Sequence, residues 1–143
     1  ADINPDAVEI LIENFSKWDR TEYEFSGELK RYSEKRLLGV ADATRLSENE
    51  NLISNWNFIL MNLPHRTIDF LPSIVPLLDR SKASMIRGRV VVQESEIAEA
   101  NASIVAALPH LLEDKPLPEL RIKRDYSASL RLCSFEAWIA PVD

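Results

Sequence analysis

Glycine and cysteine are scarce in this sequence, and long hydrophobic runs are missing. The 143 residues include three glycines and one cysteine. Neither G-x-G-x-x-G nor G-x-x-x-x-G-K-[ST] occurs, so the usual nucleotide-binding loops are not indicated. One cysteine cannot form an intrachain disulfide, and no apolar stretch approaches the roughly 20 residues of a membrane-spanning helix. We therefore expect a soluble, cytoplasmic protein without a membrane partner.

Basic residues are outnumbered by acidic ones. The chain has 17 Lys and Arg against 23 Asp and Glu, which gives a formal net charge of −6. Because nucleic-acid binding needs a basic surface, we predict no nucleic-acid partner, and the charge favours a protein partner with a basic surface. The length and the 45% of hydrophobic residues are ordinary for one globular domain, so we expect residues 1–143 to form a single domain.

Residues 47–63 have the strongest helical pattern. Ser47 and Glu50 form the S-x-x-E capping box, and Pro64 cannot continue a helix. Between them an apolar stripe recurs at helical spacing, formed by Leu52, Ile53, Trp56, Ile59, Leu60 and Leu63. We predict a central helix over residues 48–63.

Three other segments are predicted to be helical. Residues 5–19 follow Asn4 as N-cap and have Pro5 at the first helical position. Residues 96–108 follow Ser95 as N-cap. Pro72 and Pro76 do not fit one uninterrupted helix, so the third segment is a short helix over 74–80.

Strand patterns lie mainly in the C-terminal half. β-branched residues and alternation predict strands over residues 85–93, 119–124 and 129–140. The inward phase of the last strand changes between Leu132 and Cys133, which predicts either a bulge near 132–134 or burial on both faces. In the N-terminal half, residues 21–25 suit a short strand. Residues 27–39 suit a helix ending at Gly39, or the continuation of that strand.

The predicted fold class is α+β. About four helices would pack on one face of a small, mainly antiparallel sheet whose strands lie mostly in the C-terminal half. The alternative is a mainly helical domain with a C-terminal hairpin.

Side chains able to perform chemistry are few. His65 and His110 each follow a proline, and such residues are more often helix-end residues near solvent than ligands. Cys133 lies in a strand pattern, which favours a buried free thiol. We therefore predict no catalytic residues, no cofactor and no metal site.

Charged clusters are candidates for partner binding. The acidic candidates lie at predicted helix starts, where they also complement the helix dipole: Glu48, Glu50, Glu94, Glu96 and Glu99. Arg87, Arg89, Arg121 and Lys123 would form a basic strip if their strands were neighbours, and a solvated sheet face is the simpler interpretation.

These features favour a non-catalytic, acidic protein–protein interaction module, such as an immunity or inhibitor protein, with Trp18 or Trp56 at the rim of its acidic patch. Enzyme activity stays open, and its absence is favoured. The alternative is a small enzyme or ligand-binding domain, with His65, His110 and Tyr126 in a pocket between helices and sheet. A third hypothesis is a subunit that uses residues 68–78 as an oligomer contact.

Overall fold

The chain divides into two compact units, Ala1–Leu46 (unit 1) and Ser47–Asp143 (unit 2). A computed structural model describes residues 2–33 and 36–142. Within these ranges there are four helical segments and two sheets, and the strands of the main sheet lie in the C-terminal half. The predicted α+β class is confirmed, whereas a single domain over residues 1–143 stays a prediction.

Unit 1 begins with helix α1, Pro5–Asp19, as predicted. The side chain of Asn4 accepts a hydrogen bond from the backbone N–H of Asp6 at 3.0 Å, which satisfies one of the free donors of the first turn. Arg20 ends the helix in a left-handed conformation, with φ of 53°. The buried face of α1, at Val8 and Ile12, packs with Leu38 in the core of this unit.

A short antiparallel hairpin follows α1, formed by β1 (Lys30–Ser33) and β2 (Arg36–Leu38). The predicted strand over 21–25 and helix over 27–39 are therefore wrong, although residues 34 and 35 lie outside the described residues. Tyr23, Phe25 and Tyr32 pack against the α1 core. Packing of these aromatic side chains overrides the helix propensity of the surrounding residues. At Gly39 a Cβ would lie 2.1 Å from the carbonyl oxygen of Glu28, so glycine permits this close approach.

Unit 2 contains a four-stranded sheet of β3 (Phe58–Met61), β4 (Ser84–Gln93), β5 (Arg121–Asp125) and β6 (Leu130–Ile139), in the order β3-β4-β6-β5. The last three strands match the predicted ones within two residues. Strands β4 and β6 pair antiparallel from Ser84–Ile139 to Gln93–Leu130. Because β3 pairs parallel with β4, the sheet is mixed rather than antiparallel.

The predicted helix over residues 48–63 is absent. A 3₁₀ segment, Ala43–Glu48, is followed by turns and then by β3. The backbone N–H groups of Asn55 and Trp56 donate to the carbonyl of Leu77 at 3.1 Å, so the backbone bonds to a distant segment instead of to its own preceding turn. Of the expected buried stripe, Leu52 is buried and Leu60 is 62% exposed.

Two helices cover one face of the main sheet. Helix α2, Thr67–Ile74, continues as the 3₁₀ turn Val75–Leu77, and the 3₁₀ turn Glu94–Glu96 precedes α3, Ile97–Ala107. Both helices pack against β4 and against each other. The helix predicted over 96–108 is confirmed without a side-chain cap from Ser95. The helix predicted over 74–80 is misplaced: α2 ends at Ile74 with Pro72 accommodated inside it, and the 3₁₀ turn Val75–Leu77 follows.

Gly88 of β4 provides room under α2. A Cβ at this position would lie 2.4 Å from Cε1 of Phe135 on β6 and 3.0 Å from Cγ2 of Thr67 on α2. The ring of Phe135 is buried in the space that a side chain at position 88 would take. Gly88 is thus required for this close packing.

The phase change predicted in β6 is explained by burial on both faces, because its register with β4 is continuous. Leu132 and Cys133 are both buried, so this part of the strand is covered on both faces. The partner strand β5 is also irregular: Ile122 pairs with Cys133 and Arg124 pairs with Leu132, so Lys123 is an extra residue. The bulge lies in β5, whereas the sequence predicted it in β6 itself.

Candidate functional site at the carboxyl edge of the main sheet

The parallel strands β3 and β4 end at one edge of the main sheet, which we call the carboxyl edge. It carries the loop of residues 62–66 after β3, the end of β4 at Gln93 and the turn of residues 126–129 between β5 and β6. In open sheets of parallel strands, ligands bind outside the carboxyl ends of the strands. This edge is therefore the candidate ligand-binding region of unit 2.

The loop after β3 is held against β4. The backbone N–H of Val91 donates to the carbonyl of Pro64 at 2.8 Å, and the buried hydroxyl of Thr67 donates to the carbonyl of Leu63 at 2.9 Å. The guanidinium of Arg89 donates to Oδ1 of Asn62 at 3.5 Å. These bonds fix the backbone from which His65 projects.

His65 meets Tyr126 at this edge. Nε2 of His65 lies 3.0 Å from Oη of Tyr126, and the rings are in T-shaped contact with centroids 5.3 Å apart. His65 is exposed and Tyr126 is 48% exposed, so the pair lies at the surface of unit 2.

Arg131 fixes the turn that carries Tyr126. Its Nη2 lies 2.8 Å from Oε2 of Glu94, and its Nε lies 3.5 Å from Oδ1 of Asp125. Its Nη1 donates to the carbonyl of Ser127 at 3.4 Å. The Arg131 side chain is only 20% exposed, which favours one orientation of the guanidinium.

His110 lies at the opposite end of β6, which we call the amino edge because β4 begins there. The backbone N–H of Ala140 donates to the carbonyl of His110 at 2.8 Å, whereas Tyr126 bonds to Leu130 at the start of the strand. Ten strand residues separate the two positions by roughly 30 Å. The predicted convergence of His65, His110 and Tyr126 is therefore half right: His65 and Tyr126 meet, and His110 does not join them.

Cys133 is fully buried in β6. Burial raises the pKa of its thiol, and the nearby Arg131 guanidinium opposes this only in part. A raised pKa leaves less thiolate at neutral pH, which together with full burial disfavours nucleophilic chemistry at Cys133.

The predicted acidic residues are all exposed: Glu48, Glu50, Glu94, Glu96 and Glu99. Glu94 forms an ion pair with Arg131. Partner binding by these residues stays a prediction, as do a basic protein partner and the exclusion of nucleic acid and membranes.

The predicted basic strip does not form, because β6 separates β4 from β5. Arg87 of β4 instead pairs with Glu136 of β6 at 2.5 Å. The proposed oligomer contact over residues 68–78 is also wrong as an exposed patch, since most of its apolar side chains are buried: Leu71, Ile74, Val75, Leu77 and Leu78.

Unit 1 has its own pair of parallel segments. Asp2 and Val40 form a parallel bridge, and the N–H of Ala41 donates to the carbonyl of Asp2 at 2.9 Å. Asp2 is the bridging residue of one segment, and Asp42 lies two residues after Val40, the bridging residue of the other. Oδ1 of Asp2 accepts from the N–H of Asn4 at 2.9 Å, and Oδ1 of Asp42 accepts from the hydroxyl of Thr44 at 2.7 Å.

This pair of aspartates was not among the residues that the sequence indicated. The local signal is weak: a short apolar run, Val40-Ala41, ends in an aspartate.

A shallow groove of about 430 Å³ also lies in unit 1. Its lining is contributed by α1 and the segment after it: Glu9, Ile12, Glu13, Ser16, Lys17, Tyr23 and Phe25.

Two features are absent from the part of the chain that the structure describes. Within residues 2–33 and 36–142, no group of three or more His, Cys, Asp or Glu side chains is arranged to hold a metal ion. In the same part of the chain, no helix combines the length and apolar character that crossing a membrane requires.

The sequence matches no family model and none of the curated proteins compared with it. Its structure is similar to a crystal structure of M. jannaschii TYW2 in complex with AdoMet, with a TM-score of 0.65 and 17% sequence identity. The alignment covers 97% of this chain and 55% of the TYW2 chain. The chain thus has the fold of about half of that protein.

This likeness corrects the functional hypothesis. We expected a non-catalytic acidic interaction module of the immunity or inhibitor type. The chain instead has the fold of part of a protein solved with AdoMet bound, so that expectation is wrong. The alternative, a small enzyme or ligand-binding domain, agrees better with the finding.

Proposed function

We propose that this chain binds AdoMet and belongs to an enzyme that transfers a carbon group from it. The observation that carries the proposal is the likeness to the AdoMet complex of TYW2 over 97% of the chain. AdoMet supplies an electrophilic carbon attached to a positively charged sulfur. We also propose a cytoplasmic location, in keeping with the single free cysteine.

The aspartates of unit 1 suit the adenosine part of AdoMet. The ribose hydroxyls and the adenine amino group are hydrogen-bond donors, and carboxylates are acceptors. An acidic residue beside the carboxyl end of a parallel strand is a common partner for ribose hydroxyls. Asp2 is exposed and Asp42 is half-buried, and one carboxylate can accept several hydrogen bonds at once.

Calorimetric titration of the chain with AdoMet tests this proposal. We expect saturable binding that weakens about 10- to 100-fold in Asp42→Asn, because a hydrogen bond to a charged group contributes about 1.5–3 kcal/mol. The asparagine retains an oxygen for Thr44, so the local turn is preserved. Asp114→Asn, at an exposed position in unit 2, is the matched control and should bind like the wild type.

Two results would contradict the proposal in different ways. A folded wild-type chain that shows no heat of binding at millimolar AdoMet would exclude the function itself. Equal affinity of Asp42→Asn and wild type would move the adenosine away from the unit 1 aspartates.

A further inference from the structure

Strand β3 lies at one end of the main sheet, and β5 lies at the other. The N–H of Met85 on β4 donates to the carbonyl of Asn57, immediately before β3, at 3.0 Å. Because successive residues of a strand direct their main-chain groups to opposite sides, the next residue that faces β4 is Ile59. The N–H and C=O groups of Phe58 and Leu60 are therefore directed to the outer edge of β3.

The side chains of Phe58 and Leu60 are also accessible at this edge. They are 47% and 62% exposed. Met61, the next residue, is buried and pairs with Gly88 under α2. Since side chains alternate between the faces of a strand, Phe58 and Leu60 lie on the face opposite α2. One edge thus presents apolar side chains together with main-chain donors and acceptors.

The other edge strand, β5, is protected by charge. All five of its residues are exposed, and three of them are basic: Arg121, Lys123 and Arg124. Charged side chains on an edge strand oppose its pairing with further strands. Strand β3 has the sequence Phe-Ile-Leu-Met, with no charge and no proline. An apolar edge without such protection is suited to pairing with one more strand.

A second copy of the chain fits this edge poorly. Strand β3 has four residues, so two copies paired edge to edge would bury far less than the roughly 1,200–2,000 Å² of a stable interface. A strand of the same polypeptide pairs without the cost of bringing two molecules together. The TYW2 chain contains such further polypeptide, because the alignment covers 55% of it.

We propose that the outer edge of β3 is a docking site for an extended, uncharged strand contributed by polypeptide of the same protein outside residues 1–143. This strand exchanges main-chain hydrogen bonds with Phe58 and Leu60, and its apolar side chains cover theirs. Docking extends the main sheet by one strand beyond β3. The inference is independent of AdoMet binding, because it uses contacts within unit 2 only.

Amide hydrogen exchange and sedimentation of the 143-residue chain test whether the edge is free. We expect fast exchange at Phe58 and Leu60 and slow exchange at Ile59 and Met61, whose N–H groups donate to β4. Slow exchange at Phe58 and Leu60 would show that the chain already pairs this edge, and would overturn the proposal. Sedimentation should show a monomer. A dimer that Leu60→Lys dissociates would assign the edge to a second copy instead.

The peptide acetyl-Thr-Val-Thr-Val-Thr-amide is the probe for docking, in NMR titration of the ¹⁵N-labelled chain. We expect saturable shifts and slowed exchange at the Phe58 and Leu60 amides. Saturation should need millimolar peptide, because the probe is not linked to the chain. The amides of β5 should not respond. The same peptide methylated at every backbone nitrogen has no main-chain donor and should cause no shifts.

Two lysine variants test which side chains the docking requires. Leu60→Lys places a charge on the edge and should abolish the peptide-induced shifts. Leu117→Lys is the matched control, because Leu117 is 67% exposed elsewhere in unit 2, and it should respond like the wild type. No shifts in the wild type, equal shifts at β3 and β5, or an unchanged response in Leu60→Lys would each overturn the docking site.

Discussion

The tripeptide Leu-Pro-His occurs at both edges of the main sheet, with different consequences. At the carboxyl edge, residues 63–65 place the side chain of His65 against Tyr126. At the amino edge, residues 108–110 place the carbonyl of His110 on the N–H of Ala140. His110 has a positive φ of 51°, so its backbone forms the turn while its side chain is exposed to solvent.

Both edges have backbone hydrogen bonds, and the carboxyl edge also has side-chain bonds between distant segments. At the amino edge the backbone bonds to itself, since Leu112 donates to Trp138 and Val142 donates to Arg80. At the carboxyl edge side chains from distant segments bond to each other, as in the pairs His65–Tyr126 and Arg131–Glu94. Identical local sequences can therefore place a backbone carbonyl in a turn at one edge and a side-chain contact at the other.

Truncating the leucines of the two tripeptides should give the largest difference in the free energy of unfolding. Leu108 is 5% exposed, and Leu63 is half-buried. Leu108→Ala should lower the free energy of unfolding by about 2–4 kcal/mol, because it leaves a cavity, and Leu63→Ala by about 1 kcal/mol. Urea denaturation followed by tryptophan fluorescence measures both. Equal losses would show that the two edges contribute equally to the core.

Replacing the two histidines should also lower the free energy of unfolding more at the amino edge than at the carboxyl edge. His110→Val places a β-branched residue at positive φ and should cost about 1–2 kcal/mol of folding free energy. His65→Val affects an exposed side chain and should stay within about 0.5 kcal/mol of the wild type. The same denaturation assay applies, and a larger loss at His65 would reverse the roles assigned to the two edges.

Thr67 tests how firmly the carboxyl-edge loop is held. Thr67→Val keeps the shape but removes the buried hydroxyl that donates to Leu63, so we expect a loss of about 1 kcal/mol. Ser103→Ala is the matched control, because its hydroxyl makes a similar bond to Glu99 on the exposed side of α3. That control should leave stability nearly unchanged. A silent Thr67→Val would mean that the bond from Val91 alone holds the loop.

Acid should weaken the amino edge through Asp79, with the smallest effect of the four. Hydrogen bonds from the hydroxyl and the N–H of Ser81, with the ammonium of Lys82, lower the pKa of Asp79 from 3.8 to about 2. The folded state therefore favours the charged carboxylate above pH 4, and this stabilisation is lost as the pH falls towards 2. The melting temperatures of wild type and Asp79→Asn should converge over that range. A constant difference from pH 6 to pH 2 would contradict the assignment.

Sequence patterns were sufficient where local and tertiary preferences agree. Helix α1 has its cap, its first proline and its apolar face within one segment, and β4 has three consecutive valines, Val90, Val91 and Val92. Residues 58–61 were misassigned because a short apolar run suits a strand or a helix equally. What decides it is the pairing of Phe58 with Met85, far along the chain.

The candidate site was predictable only in part. The sequence indicates Tyr126 and His65 as candidate polar groups of a pocket. Nothing local shows that the two side chains meet, because their contact depends on the order of the strands. The parallel bridge between Asp2 and Val40 is hidden for the same reason. Residue type alone could not separate His65 from His110, since both follow Leu-Pro.

The packing of Phe135 over Gly88 restricts how this protein can vary. A larger residue at position 88 requires that a smaller residue has first replaced Phe135, because the Cβ at position 88 would overlap the phenylalanine ring. The reverse order, trimming the ring first, opens a void beneath α2 that a new side chain at position 88 could then fill. Related sequences should accordingly change at these two positions together, with the bulk moving from one strand to its neighbour.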